Sequence, residues 1–167
     1  YQILNSRPDI ACERVFAPWQ DMEALLREKQ ARLYTLESGL PLNSLDILGF
    51  SLQYELSYTN IVNILELGAI PIFSKDRTDK DPIIIGGGPC AFNPEPVADF
   101  FDCFLIGDGE EAIIEVSDAV MKAKEKGFKR KELLERLSHI QGIYVPSLFE
   151  ITYNQDSTIN QIKPLLS

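Results

Sequence analysis

Three short segments hold the residue types that could bind a ligand. Ser51-Leu52-Gln53-Tyr54-Glu55-Leu56-Ser57 gathers hydroxyls, an amide, a phenol and a carboxylate directly after an apolar run. Such groups can hydrogen-bond a small molecule, and they can equally satisfy the loop's own backbone. Gly86-Gly87-Gly88-Pro89 is the second segment. Glycines let a backbone approach a flat or bulky ligand and tolerate positive φ. A tight turn between layers would also use them, but three in a row exceed what a turn needs, which favours a ligand. The spacing is not the GxGxxG dinucleotide fingerprint. Gly107-Asp108-Gly109-Glu110-Glu111 is the third. Its acids suit the positive N-terminus of a following helix, so Glu110 and Glu111 are expected to cap rather than to do acid–base work. They would repel a phosphate, which argues against a nucleotide pyrophosphate there.

Other reactive residue types are sparse. Cys12, Cys90 and Cys103 are odd in number and far apart, a pattern of reduced thiols packed as small hydrophobes. No two lie within four residues, so no ribbon-type zinc or iron–sulfur spacing exists. The single histidine, His139, falls in an expected surface helix. The net charge of −9 argues against nucleic acid, which needs clustered Lys and Arg. The basic stretch Lys122 to Lys131 is interrupted by Glu125 and reads as a solvated helix face. No apolar run approaches the ~20 residues that span a bilayer, and no signal peptide is visible. The expected location is the cytoplasm.

The elements that must position these loops alternate between two periodicities. Glu13 to Ala17 reads as a short strand, Asp21 to Gln30 as a helix, and Arg32 to Leu36 as an edge strand. Asp46 to Leu52 is nearly continuous apolar sequence, as expected of a strand covered on both faces. Ser57 is the expected N-cap of the next helix, whose stripe is Tyr58, Ile61, Val62 and Leu65, with Gly68 as C-cap. Pro82 to Ile85 and Cys103 to Ile106 are further buried strands. A turn of helix is expected in Pro94 to Phe100, a long helix over Glu110 to Lys126 closed by Gly127, and a shorter one over Lys129 to Ser138. Gly142 to Val145 is a last strand. Phe149 to Tyr153 and Thr158 to Ile162 read as a hairpin.

This order predicts an α/β fold, flavodoxin-like and doubly wound, with a mostly parallel sheet, helices on both faces and a C-terminal β-hairpin. Residues 1–147 form the expected domain and residues 148–167 a hairpin or linker towards a downstream domain. In such folds ligands bind beyond the carboxyl ends of the strands, where all three loops fall. The chain starts at Tyr1, and Tyr1 to Asn5 reads like the end of a helix, so a first strand is expected upstream of this piece. Without it, strand edges would stay unpaired, which predicts self-association.

The segments GFSLQYELSYTN, IIIGGGPCAFNPEPVADFFD and CFLIGDGEE, in this order and spacing, resemble the N-terminal cobalamin (B12)-binding-like domain of B12-binding-type radical SAM proteins. The resemblance runs from ERVFAPW to GIYVPSLFEITYN. It implies a Rossmann-type accessory domain, non-catalytic alone, that belongs to an Fe-S oxidoreductase-like enzyme. A radical SAM barrel of the same polypeptide would carry a four-iron cluster and cleave S-adenosylmethionine. That barrel's Cys-three-Cys-two-Cys motif is absent here. The cobalamin features match in part. The Asp-x-His-x-x-Gly motif is missing, the Ser-x-Leu segment is altered to Ser51-Leu52-Gln53, and the Gly-Gly pair is kept as Gly86-Gly87. The expected ligand edge is Ser51, Gln53, Tyr54, Gly86, Gly87 and Gly88, for cobalamin or for a substrate. Two other functions fit the fold: a free-standing flavin or nucleotide binder, which lacks a phosphate-cradling loop here, and a pure interaction module with an exposed apolar face, to which Phe92, Phe100 and Phe101 could contribute.

Overall fold

Apolar residues alternate through three strands and divide the interior into two cores, one on each face of a sheet. In the computed structural model, which describes residues 1–165, these strands are β1 (Ile47–Ser51), β2 (Ile83–Gly87) and β3 (Cys103–Leu105). Leu48, Ile84 and Phe104 face one way and pack with Leu26, Ile61 and Leu65. Ile83, Ile85, Cys103 and Leu105 face the other way and pack with Val116, Val120, Leu133 and Leu137. Period-two side chains on a sheet covered on both sides require this division.

β1, β2 and β3 are parallel neighbours, and β4 (Ile143–Tyr144) closes the sheet antiparallel to β3, in the order β1-β2-β3-β4. Helices α2 (Gln20–Glu28) and α3 (Tyr58–Leu67) supply the first core, and α4 (Ala112–Lys126) and α5 (Arg130–Leu137) the second. The chain begins with a four-residue helix, α1 (Gln2–Asn5). Strands β5 (Phe149–Tyr153) and β6 (Ile159–Pro164) pair as a separate hairpin, and β6 is exposed along its whole length. The expected α/β class, parallel sheet and terminal hairpin are all present.

Several local expectations give way for identifiable reasons. Glu13 to Ala17 is extended but not a strand. The Arg14 N–H donates to the Glu37 carboxylate and its carbonyl accepts from Leu36, so no ladder forms. Arg32 to Leu36 is reduced to one bridge between Tyr34 and Pro41. Gly68 does follow α3, but in right-handed backbone with φ −78°. A Cβ there would lie 3.1 Å from Leu42 Cβ, so this glycine serves close packing, and Ala69, at φ 54°, takes the left-handed position. Gly127 is the left-handed cap expected after α4.

At the amino ends of β2 and β3 a carboxylate is buried between two guanidinium groups. One Asp102 carboxylate oxygen accepts from Arg77 at 3.0 Å, from Arg130 at 2.7 Å and from the Ile84 N–H at 2.7 Å. Arg77 is fully buried, and three more of its donors reach the carbonyls of Pro71, Ile72 and Phe100. Burial opposes the Arg77 charge most strongly and lowers its proton affinity, while Asp102 works in the opposite sense. The cluster ties the loop before β2, the start of β3 and the first turn of α5 to one point.

Candidate ligand edge at the carboxyl ends of the strands

The carboxyl edge is assembled by the first two loops folding onto each other. β1 and β2 continue their pairing beyond the strands: the Leu52 N–H donates to the Gly87 carbonyl at 2.7 Å, and the Cys90 N–H donates to the Leu52 carbonyl at 2.9 Å. This crossing sets the role of each glycine. Gly88 has φ 103° and ψ −174°, a region that glycine alone occupies freely. A Cβ on Gly88 would also lie 3.1 Å from the Leu52 carbonyl oxygen. A Cβ on Gly86 would lie 2.9 Å from the Phe104 ring and 3.0 Å from Leu52 Cδ1. At Gly87 the nearest atom, the Leu105 carbonyl oxygen, is 3.8 Å away, so a Cβ would make only ordinary contact.

Ser51, Gln53 and Tyr54 lie on this edge and are exposed, Tyr54 to 56%. Among the described residues, none of these three side chains makes a hydrogen bond within the chain, so their polar groups face solvent unengaged. Gly87 and Gly88 lie beside them through the Leu52 crossing, whereas Gly86 is buried beneath Leu52 and Phe104. Ser57 does not cap α3, because its hydroxyl donates to the Tyr54 carbonyl at 2.7 Å and braces the loop. Glu110 and Glu111 stay exposed at the start of α4, and no side chain caps that helix. His139 is exposed in the turn after α5 rather than within the helix.

Exposed apolar residues share this edge. Leu56 is 87% exposed and Phe92 72%. Of the aromatic residues considered for an exposed face, Phe92 is thus open, whereas Phe101 is buried in the core and Phe100 partly so. Trp19, 80% exposed, stands level with them. Glu23 receives a bond from Asn63 while Arg27 reaches Glu66, so α2 and α3 run parallel and Trp19 falls beside the first turn of α3. A large apolar side chain directly after a polar loop, as in Tyr54-Glu55-Leu56, was the available signal.

Tyr58 and Tyr144 are both shifted further from neutral pH. Burial, then the neighbouring Cys90, raises the Tyr58 phenol above its ordinary value. Burial, then the Glu95 carboxylate that accepts its hydrogen bond at 2.7 Å, raises that of Tyr144. Burial also pushes the Cys103 thiol up, which disfavours the thiolate. Among the described residues, no three His, Cys, Asp or Glu side chains lie where they could hold a metal ion. The residues present therefore do not fit a four-iron cluster. They also fit a buried cobalamin tail poorly: Leu52 and Phe104 fill the space over Gly86, and Leu52 itself occupies the approach that Gly88 permits.

The sequence matches the family described as radical SAM proteins, N-terminal, over residues 1–146. It is also 32% identical over 105 residues to the uncharacterized protein MJ0966 of Methanocaldococcus jannaschii, an alignment covering 61% of this chain and 20% of that protein. The chain thus spans about a fifth of the length of this relative. No solved structure matches. The expected radical SAM affiliation is met at this level, and the cobalamin-binding kind goes beyond it. No helix among the described residues is long and apolar enough to cross a membrane. With the match running from α1 through all four strands of the sheet, the chain belongs to the family of radical SAM protein N-terminal domains.

Proposed function

We propose that this chain is an accessory domain whose carboxyl edge holds the substrate of a radical SAM reaction against a catalytic barrel of the same polypeptide. The observation that carries this reading is one edge on which unengaged polar side chains, Ser51, Gln53 and Tyr54, adjoin exposed Leu56 and Phe92. Ser51 and Gln53 would hydrogen-bond the substrate, the Tyr54 phenol would both pack and donate, and the backbone at Gly87 would allow close approach. The apolar residues would seat the barrel around that contact. The barrel's four-iron cluster and S-adenosylmethionine would supply the radical chemistry. The filled space over Gly86 favours a substrate role over a cobalamin one.

The test uses the uninterrupted gene product, purified without oxygen. Iron, sulfide and corrinoid are assayed, and hydrogen exchange is compared with that of the 167-residue chain. The reading requires about four irons per polypeptide, no corrinoid, and slower exchange at residues 51–57 and 88–93 in the longer protein. Absence of iron would sink the radical SAM role. Bound corrinoid would transfer this edge to cobalamin.

A further inference from the structure

We infer that the apolar face of the β5–β6 hairpin is a docking surface for the polypeptide that follows this domain, packed on it face to face. Side chains alternate along a strand, and cross-strand partners share a face. Phe149 pairs with Pro164, Ile151 with Ile162 and Tyr153 with Ile159, so these six lie on one face. Glu150 and Thr152, opposite Lys163 and Gln161, occupy the other. The division depends on a bulge. Thr152 pairs with Gln161 and Tyr153 with Ile159, which leaves Asn160 as the extra residue. Its amide donates to the Thr152 hydroxyl at 3.4 Å, on the polar face. In a regular ladder Asn160 would stand opposite Tyr153 and interrupt the apolar face. The bulge keeps that face continuous.

The face is anchored at one end and uncovered at the other. Phe149 packs against the second core, its ring 5.2 Å from that of Tyr144. Farther out, Ile159 and Ile162 are each 48% exposed and Tyr153 61%. The turn itself is well tied. The Asn154 N–H donates to the Thr158 carbonyl at 2.8 Å, and the Thr158 hydroxyl to the Asp156 carboxylate at 2.6 Å. A two-stranded ribbon with an open apolar face is marginal in water and gains stability when that face packs on a further layer. A third strand beside β6 would leave the face in water, so the cover lies on the face.

The hairpin's place in the chain names the occupant. The family match ends at residue 146, and the hairpin starts directly after it. In a family of N-terminal domains the remaining polypeptide comes after β6, and this chain spans only 20% of its archaeal relative. β6 returns to the root of the hairpin, where the Leu165 N–H meets the Leu148 carbonyl at 2.8 Å. The following polypeptide therefore starts beside the half-buried end of this face and needs no long excursion to cover it. The inference rests on the proposed function only in requiring further polypeptide after this domain.

Hydrogen exchange over residues 149–164 and hydroxyl-radical oxidation of Tyr153, Ile159 and Ile162 are compared between the 167-residue chain and the uninterrupted gene product. In the shorter chain both should be fast and independent of protein concentration. In the longer protein exchange should slow by at least about tenfold, and oxidation of the three side chains should fall with it. Ile159→Thr with Ile162→Thr keeps β-branched residues in β6 but makes the face polar. The pair should return exchange to within about twofold of the shorter chain's. Thr152→Ser with Gln161→Ser, on the polar face, should leave it slow. Iron content and exchange at residues 51–57 test the proposed function separately, so either reading can fail alone. Equal exchange and oxidation in the two proteins would overturn the inference. So would protection of the shorter chain that grows with concentration, the mark of a second copy, or protection that survives the isoleucine pair.

Discussion

The two edges of this sheet solve opposite problems. At the amino edge, charge is buried and engaged: Asp102 draws Arg77, Arg130 and the Ile84 N–H onto one oxygen. At the carboxyl edge, side-chain polarity is exposed and unengaged, and the backbone does the holding, through Leu52 crossing Gly87 and Cys90. A protein can anchor at one end and present adaptable groups at the other, because buried partners are expensive to lose whereas exposed ones contribute little to stability. The contrast explains why the rigid end is rich in long side chains and the presenting end in glycine.

The largest effect should come from breaking the anchor. Asp102→Ala leaves two guanidinium groups without their shared carboxylate, and a loss of about 3–5 kcal/mol is expected in urea denaturation. A loss below about 1 kcal/mol would mean that the amino edge is not an anchor. Gly86→Ala and Gly88→Ala come next, each expected to cost about 1–3 kcal/mol, the first by crowding Phe104 and Leu52 and the second by backbone strain. Gly87→Ala has room and should stay within about 0.5 kcal/mol. Equal costs at Gly86 and Gly87 would refute the packing account.

A smaller effect is expected from pH, at the α2–α3 seam. The Asn63 amide and then Arg27 hold the Glu23 carboxyl below its ordinary value, and Arg27 does the same for Glu66. The folded chain then binds fewer protons than the unfolded chain around those values. The contribution is therefore complete above about pH 4.3 and is lost as pH falls through the depressed folded values. Thermal midpoints measured from about pH 7 to about pH 3 should fall, and Glu23→Gln should flatten the fall. The smallest effect on stability belongs to the presenting edge. Leu56→Ser and Phe92→Ser should shift stability by no more than about 0.5 kcal/mol in the 167-residue chain. The same substitutions should restore fast hydrogen exchange at residues 51–57 in the uninterrupted gene product. Unchanged protection there would remove these two side chains from the proposed docking surface.

Periodicity carried most of the fold. The apolar runs of β1, β2 and β3 and the stripe of α4 could be read because burial on both faces of a sheet, or on one face of a helix, imposes its own spacing. The direction of β4 could not, since two paired residues carry no directional signal and Gly142 to Val145 suits either orientation. The loops of the carboxyl edge were visible as polar and glycine-rich segments. The division of labour among Gly86, Gly87 and Gly88 was not, because it depends on where Leu52 and Phe104 come to rest. The buried cluster was least visible, as its members lie 25 and 28 positions apart and meet only when the sheet forms. The trace it left in sequence is Asp102, one charge inside the apolar run Phe100-Phe101-Asp102-Cys103-Phe104.

The reversed direction of β4 has a mechanical consequence. It returns the chain to the amino edge, so the β5–β6 hairpin leaves the sheet there, and the Leu165 N–H ties back to the Leu148 carbonyl at 2.8 Å. A tug on that hairpin along β4 would load its bonds to β3 in shear, at the end where Asp102 clamps three segments together. The sheet would then turn as one stiff lever, with its handle at one end and Ser51, Gln53 and Tyr54 at the far tip.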